Sequence, residues 1–435
     1  MKRFLLLSLV LLIPLLFMGC ASNRNPTIQD DLTQETWLRE VETNPNKWAA
    51  GADAWFLTGD PNATERMSNR MPYSDAMSTL QVSVANFSNI KVNGAFQVQI
   101  FGTYDNNSVY VYGPNDAVRE VSVEYKNGTL YVHQVGKVSP ARMRSVIVRI
   151  GVKNLNTLTQ MGCGTIEAIR IRSYALCIEA VPGATGDIYL NGNVNLVRVS
   201  QRGKGSINVF GANTPQLDIE ANGWGAINIC GNVGVRCITH KGWGDVNIIG
   251  ANTDGLTIDA DGKGKIGIKG IVNVKEIKAK GHTCVYICTS SSNSIYAYVY
   301  NSAVVGITGY TRDLTVNAAN GGRFWGRYLC AQNAFVRAKD WAHINVAASD
   351  KIFASATQNA SVYFFGEPAV MSQFVSSNGV VVPIWYGTGP RSCAITRPIV
   401  RARVYKDDVS PQGVRTYPYP QQHYRWVNKR LVGAG

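Results

Sequence analysis

The sequence predicts an all-β protein, namely a parallel β-helix, or β-solenoid, with coils of about 20 residues. A Gly-X-Gly motif returns at nearly constant spacing between residues 156 and 366, and an alternating apolar segment stands on each side of it. Such alternation indicates strands whose side chains point to opposite faces in turn. The clearest copies of the motif are Gly203-Lys204-Gly205, Gly223-Trp224-Gly225, Gly242-Trp243-Gly244 and Gly262-Lys263-Gly264.

The apolar positions keep a constant register with these glycines. Four residues before the first glycine of each unit stand Leu158, Val199, Ile219, Ile238, Ile258 and Ile277. Four residues after it stand Ile166, Ile207, Ile227, Val246, Ile266 and Val285. Because no single coil can bury its own inner face, the pattern predicts coils that stack on one another.

Asparagine recurs at two positions of the repeat. Asn208, Asn228 and Asn247 share one position, which predicts side-chain amides that hydrogen-bond up the stack. The second set lies near the following turn, where asparagine tolerates the left-handed backbone conformation. Its members are Asn213, Asn232 and Asn252.

The composition agrees with a turn-rich β protein. Of 435 residues 42 are glycine, and only 17% are charged. An elongated solenoid grows by adding coils, so this length does not require several globular domains. The composition also excludes a wholly disordered chain.

Residues 1–19 are predicted to be a lipoprotein signal peptide, followed by a lipidated Cys20. Lys2 and Arg3 precede an apolar run over 4–18, and Gly19 stands before the cysteine. The sequence resembles the bacterial lipoprotein class, which implies a diacylglycerol on the sulfur of Cys20 and a membrane as partner. Since no aspartate follows the cysteine, we expect an outer-membrane anchor, with the protein facing either the periplasm or the medium.

Residues 20–80 are predicted to form an acidic, partly helical tether. Trp37, Trp48 and Trp55 supply more aromatic surface than a linker needs. An open solenoid end exposes both core and strand edges, so we expect these side chains to cap it.

The predicted solenoid spans residues 81–366. It begins with alternating strands, between which Asn127-Gly128 indicates a tight turn. Spaced apolar and glycine positions resemble the DUF2807 family of adhesins with a head GIN domain: Phe87, Ile90, Val92, Gly94, Phe96, Val98, Ile100 and Gly128-Thr129-Leu130, followed by the glycine-centred coils. This resemblance implies a β-helical envelope protein, and it brings no catalytic motif.

The last coils are rich in aromatic residues. Tyr296, Tyr298 and Tyr300 alternate along one strand and therefore share a face. Two interpretations remain open for the aromatic residues from Tyr296 onward: large inner side chains in terminal coils, or exposed stacking.

Residues 367–435 are predicted to be a capping segment and a basic, Tyr/Pro-rich, weakly ordered tail. Its bases suit anionic lipid head groups or an acidic partner. The export signal argues against nucleic acid as a partner. The bases singled out are Arg397, Arg401, Arg403, Arg415, Arg425, Lys429 and Arg430.

The sequence indicates neither a metal site nor a cofactor. The histidines and cysteines show no ligand spacing. Cys177 and Cys237 share a column but lie three coils apart, roughly 14 Å, which is too far for a disulfide. Outward carboxylates, the pairs Asp218 with Glu220 and Asp259 with Asp261, would allow a glycosidase, but polar residues are the default on an outer face.

The sharper binding candidate is the column of residues between the glycines: Lys204, Trp224, Trp243 and Lys263, with His282 next. Two interpretations remain open for it. The indoles could stack on a sugar ring or enter a membrane interface, or they could stack on each other or beneath the N-terminal aromatic segment.

We therefore expect a non-catalytic outer-membrane lipoprotein whose solenoid serves adhesion or scaffolding, with a glycan or an anionic lipid as ligand. The first alternative is an accessory subunit of a multi-protein envelope complex, such as a secretion system. The second, less favoured, is a β-helix enzyme that acts on polysaccharide.

Overall fold

The computed structural model describes residues 77–103, 106–384, 424–427 and 430–433. Parallel coils of about 20 residues stack into a β-solenoid of about 11 turns. The predicted all-β solenoid is confirmed. In the described part of the chain, no helix is long and apolar enough to cross a membrane.

Long strands, each making up most of a coil, form the body of the solenoid. They are β9 (Ile166–Ala180), β10 (Ile188–Gln201), β11 (Ile207–Ala221), β12 (Ile227–His240), β13 (Val246–Ala260), β14 (Lys265–Ala279), β15 (Cys284–Tyr300), β16 (Val304–Ala319), β17 (Arg323–Lys339) and β18 (His343–Thr357). Register shifts interrupt the middle of each strand and leave a first half and a second half on either side, as at Phe210/Ala212 and Thr214/Leu217 of β11. We call the ladder of first halves the first sheet and the ladder of second halves the second sheet.

The predicted columns of apolar residues are present in both sheets. In the first sheet Ile207 pairs with Ile227 and Ile227 with Val246. In the second sheet Ile219 pairs with Ile238. All five side chains are at most 2% exposed and belong to one continuous core. Burial of these stacked faces, which no coil could achieve alone, stabilises the fold.

One coil was passed over when glycines were counted in the sequence. Ile188 pairs with both Ile166 and Ile207, so a full coil lies between these two predicted units. Its turn keeps Gly186, but Ala184 stands where the first glycine would be. A single substitution therefore hid the unit from a search for Gly-X-Gly.

Shorter elements cover the N-terminal end of the stack. They are β1 (Met77–Val82), β2 (Asn89–Asn93), β3 (Gln97–Gly102), β4 (Ser108–Pro114), α1 (Asn115–Val118), β5 (Val121–Lys126), β6 (Thr129–Gln134), α2 (Pro140–Met143), β7 (Ile147–Val152) and β8 (Thr157–Gln160). The first sheet continues from β9 through β3 to β7 in parallel pairing, and the second from β9 through β8 and β2 to β6.

Antiparallel strands then close both ladders. β4 and β1 follow β7, and β5 follows β6. The predicted tight turn between β5 and β6 is confirmed, since Asn127 and Gly128 have φ of 50° and 73°. Apart from residues 77–80 of β1, which fall in the predicted tether, the covering strands come from residues that the sequence analysis assigned to the solenoid itself. Trp37, Trp48 and Trp55 lie outside the described residues.

The C-terminal end of the described solenoid consists of β19 (Ser361–Phe365), β20 (Val370–Ser376) and β21 (Val380–Pro383). β19 and β20 pair with the two halves of β18, and β21 pairs with β19. Apolar side chains of β20 stay exposed, among them Met371 and Phe374 at 52% and 62%. Further along the chain, β22 (Tyr424–Val427) and β23 (Arg430–Gly433) form an antiparallel pair.

Both interpretations of the aromatic coils hold, each for different residues. Phe324 and Phe364 point into the core and are at most 3% exposed. Tyr296 is 46% exposed on the outer face, and Trp341 is 65% exposed in a turn. The period of two along each strand decides which side chains are inside.

Candidate functional site: a tryptophan–lysine edge

Four Gly-X-Gly turns lie directly above one another along one edge of the solenoid. The backbone N–H of Trp224 donates to the carbonyl of Gly203 at 2.8 Å, and that of Trp243 donates to the carbonyl of Gly223 at 2.8 Å. The N–H of Lys263 continues the series to Gly242 at 3.0 Å. Neighbouring turns are therefore held in register by main-chain hydrogen bonds.

Glycine is required in these turns by the close approach of one coil to the next. A Cβ built on Gly225 would lie 1.9 Å from the carbonyl oxygen of Gly205, and one on Gly244 would lie 2.0 Å from that of Gly225. Neither residue has a positive φ. The motif thus reflects packing between backbones, which only a residue without a side chain permits.

Buried polar side chains form hydrogen bonds with the backbone carbonyls of the turns. The amide of Gln201 donates to the carbonyl of Gly205 at 2.6 Å, and Nε2 of His240 lies 2.8 Å from the carbonyl of Gly244. Gln160 makes the same contact with the turn of its own coil. Alanine stands at this position in the coils between them, Ala180 and Ala221, and again in the coil after His240, Ala260.

The side chain of the middle residue of each turn is exposed to solvent. Trp224 is 62% exposed and Trp243 is 50% exposed. Their ring centroids lie 4.7 Å apart with an angle of 7° between the planes, which is a parallel stack. Nζ of Lys263 lies 3.9 Å from the centroid of Trp243. We call this row, from Lys204 to Lys263, the tryptophan–lysine edge.

The indoles thus stack on each other, as one of the two open interpretations held. The face of Trp243 that looks away from Trp224 carries the ammonium group of Lys263, a cation–π contact. The outer edges of both rings are left for a ligand. Lys204 lies exposed in the turn before Trp224.

Further bases line the same edge. Exposed side chains next to the glycines include Lys241 and Lys280, and the acid in the same row is Asp261. Asp245, close by, accepts a hydrogen bond from the backbone of Lys265 at 2.8 Å and is engaged within the fold. The positive potential along this row favours an anionic ligand. The sequence analysis named only the central residues, although Lys241 and Lys280 recur at a fixed place before the glycines.

Of the two carboxylate pairs considered for glycoside hydrolysis, Asp218 and Glu220 are both engaged in ion pairs. Glu220 accepts from Arg198 at 2.7 Å, and this hydrogen bond lowers the pKa of Glu220 below its usual value. Asp218 accepts from Arg236. A general acid needs a raised pKa, so Glu220 is unsuited to that role.

No group of three or more metal-ligating side chains occurs among the residues that the structure describes. Cys177 and Cys237 do fall three coils apart in one column, through Arg198 and Asp218, and both are free thiols.

Two predicted binding elements lie wholly or largely outside the described residues. One is Cys20. The other is the basic tail, of which Arg397, Arg401, Arg403, Arg415 and Lys429 are not described, while Arg425 and Arg430 lie in β22 and β23.

Solved structures similar to this chain include several named as adhesins. A crystal structure described as "putative adhesin" from Parabacteroides distasonis ATCC 8503 is 15% identical, covers 72% of this chain and 98% of its own, and has a TM-score of 0.29. One described as "Putative lipid binding protein" from the same strain is 11% identical, with 71% and 97% coverage and a TM-score of 0.24.

A structure described as "putative cell adhesion protein" from Clostridium sporogenes ATCC 15579 is 10% identical, with 64% and 100% coverage and a TM-score of 0.15. No curated protein matches the chain. The family model DUF2807, "Putative auto-transporter adhesin, head GIN domain", matches residues 86–281 and 257–368. The chain therefore belongs to the DUF2807 family.

Proposed function

We propose that the protein is a non-catalytic adhesion protein of the bacterial outer membrane, anchored by a lipid on Cys20, and that its tryptophan–lysine edge binds anionic glycans. The observation that carries the proposal is the exposed stack of Trp224 and Trp243 with Lys263 on its open face. The family description as an adhesin supports the same class of function.

The physical argument concerns what the stack offers to a ligand. The two large apolar rings are half or more exposed, so a ligand that covered them would bind favourably by removing apolar surface from water. The ammonium of Lys263 sits on the ring and keeps its remaining N–H donors for an anion. An acidic sugar presents both an apolar ring face and a carboxylate or phosphate, so it satisfies both demands.

The anchor is inferred from the sequence. Basic residues, an apolar run and Gly19-Cys20 make up the signal, and the family label agrees with an envelope location. A lipid at residue 20 would leave a predicted tether of roughly 60 residues between the anchor and the solenoid, which could bring the edge within reach of a neighbouring surface.

The experiment compares binding of the mature chain to immobilised lipopolysaccharide and to dextran, a neutral polymer. The double variant Trp224→Ala/Trp243→Ala should lose at least tenfold in affinity for lipopolysaccharide, and Lys263→Gln should lose less but reduce the salt dependence. Tyr174→Ala is the matched control, because Tyr174 is 88% exposed and lies away from the edge. Equal binding by the double variant and the control would refute the proposal.

A second candidate is docking within an envelope complex, and the exposed apolar side chains of β20 favour it. Val370, Met371, Phe374 and Val375 are 43% to 62% exposed. Purification from detergent-solubilised envelopes would decide: a stoichiometric set of partner proteins would support the complex, whereas recovery of the protein alone would support the free-standing adhesin.

A further inference from the structure

A groove lies on the outer face of the second sheet, far along the chain from the tryptophan–lysine edge. It has a volume of about 500 Å³ and runs across β16, β17, β18 and β20. Two neighbouring columns of outward side chains form its walls. We call it the aromatic groove.

The first wall has two aromatic side chains at its centre. Phe335 pairs with Phe353, and the two rings stack with centroids 5.1 Å apart and planes 2° apart. They are 42% and 38% exposed. Thr315 precedes them in the same column and Ser372 follows them, and both side chains are too short to cover the outer ring faces. The stack therefore stands in a row of small polar residues.

The second wall can form hydrogen bonds. Its column reads Asn317, Arg337, Ser355 and Phe374, two residues further along each strand. The amide, the guanidinium and the hydroxyl provide donors and acceptors along the groove. Phe374, which is 62% exposed, closes the end at β20. One wall thus has a phenylalanine pair at its centre, and the other carries three hydrogen-bonding side chains with Phe374 at its end.

The outer ring faces of the aromatic stack are covered differently in this groove and at the tryptophan–lysine edge. There Lys263 occupies the outer face of Trp243, whereas here Thr315 and Ser372 leave the faces of the phenylalanine pair accessible. A ring could stack on phenylalanine without displacing a cation. The stack is therefore open to the apolar face of a ligand, and Arg337 is the one charged side chain among the described residues that line the groove.

We propose that the aromatic groove binds a short neutral glycan extended along the solenoid axis. A pyranose has one apolar face for the phenylalanine wall and equatorial hydroxyls for the amide and guanidinium wall. The coils repeat at roughly 4.8 Å, close to the length of one hexose in a chain, so each successive sugar would advance by about one coil. The four strands span three such steps, roughly 14 Å, enough for a short oligosaccharide.

A protein ligand fits these walls less well. The groove lies on a sheet face, whose backbone groups are already paired, so it cannot add a β-strand. An apolar peptide side chain would also strip water from Arg337 and Asn317 without replacing their hydrogen bonds, which is unfavourable.

The test uses saturation-transfer NMR and calorimetry with the mature chain and four probes: cellohexaose, maltohexaose, mannohexaose and chitohexaose. At least one should bind with millimolar affinity or better. Ser355→Trp fills the groove from its polar wall, and Phe335→Ala/Phe353→Ala removes the aromatic wall, so each should reduce binding at least tenfold. All three altered residues point outward, and circular dichroism and thermal midpoints would verify folding.

Trp224→Ala/Trp243→Ala should bind the same probe like the unaltered protein, which separates this site from the tryptophan–lysine edge. The proposal is overturned if no probe binds the unaltered protein, or if binding survives Ser355→Trp. Binding of N-acetyltryptophanamide in preference to every oligosaccharide would also overturn it, by assigning the groove to protein side chains.

Discussion

The side-chain amide of Asn228 donates a hydrogen bond of 2.8 Å to the side-chain oxygen of Asn208 in the preceding coil. Asn247 repeats the contact to Asn228 at 2.9 Å. All three are at most 2% exposed, so this ladder of polar groups lies inside the protein. The ladder ends in both directions where asparagine no longer occupies the position. At one end the amide of Asn208 donates to the backbone carbonyl of Ile188, and at the other the residue paired with Asn247 in the next coil is Gly267.

The central member of the ladder should matter most for stability. Asn228→Ala removes a donor and an acceptor at once and leaves the amides of Asn208 and Asn247 buried without these partners. We expect the free energy of unfolding to fall by about 2 kcal/mol or more. Urea denaturation followed by circular dichroism measures it.

The control for this change is a second, exposed ladder. Asn232 donates to Asn213 at 3.1 Å and accepts from Asn252 at 3.4 Å, all in contact with solvent. Because water replaces lost hydrogen bonds there, Asn232→Ala should cost roughly 0.5 kcal/mol or less. Similar losses for both variants would show that burial of the inner ladder contributes little.

Two glycine substitutions test why glycine occupies the turns. Gly225→Ala would place a Cβ 1.9 Å from the carbonyl oxygen of Gly205, so the coils must separate locally. We expect a loss of about 3 kcal/mol, or failure to fold, by analogy with the upper end of the cost of overpacked cores. Thermal unfolding and soluble yield are the measurements.

Gly255→Ala is the matched control, since no heavy atom lies within 4 Å of a Cβ built there and its φ is not positive. This variant should retain the midpoint of the parent protein or exceed it slightly, because alanine restricts the unfolded chain. A Gly225→Ala variant as stable as Gly255→Ala would contradict the close-packing explanation.

The register of the coils could be predicted because the apolar, asparagine and glycine positions recur at one nearly constant spacing along the chain. Ile219 and Ile238 stand at equal distances from their glycines, and Asn208 and Asn228 do likewise, so counting alone assigns each pair to one column. Stacking then follows from the need to bury the apolar face. The same count gave Trp224 and Trp243 as neighbours, and the structure stacks them.

Features that span two coils escaped the sequence analysis. Gln201 and His240 alternate with Ala221, and this period of two coils is hidden when each unit is compared only with the next. The aromatic groove was missed for another reason. Its walls pair Phe335 with Phe353 and Arg337 with Ser355 across a shift of register within β17 and β18, which a constant count does not follow.

The cysteines should differ sharply in reactivity. Cys163 is exposed in the turn between Gly162 and Gly164, whereas burial raises the pKa of the Cys230 thiol to about 12. Only the thiolate is nucleophilic, so iodoacetamide at pH 8 should modify Cys163 long before Cys230. Peptide mapping by mass spectrometry reads both sites in one sample, and comparable rates in the native protein would contradict this order.

Two buried histidines should make the solenoid less stable in acid. Desolvation lowers the pKa of His240, and desolvation together with the charge of Arg323 lowers that of His343 to about 4. The folded protein therefore keeps both rings neutral where the unfolded chain binds protons. Stability should be unaffected by these groups above pH 6.5 and should fall as the pH drops from there toward 4, by roughly 3 kcal/mol for His343.

His240→Gln isolates one of these contributions without disturbing the packing. Gln160 and Gln201 occupy the same column and bond to the carbonyls of their own turns, so glutamine at 240 can make the bond that His240 makes with Gly244. At pH 7.5 the variant should match the parent within about 1 kcal/mol. At pH 5 it should be the more stable of the two, because no ionisable group is desolvated at that position. Urea midpoints measured at both pH values provide the comparison, with His343→Gln examined in parallel for the second histidine. If the gap between His240→Gln and the parent stayed constant from pH 7.5 to pH 5, the His240 ring would have the same pKa folded and unfolded, contrary to its burial beneath the turn.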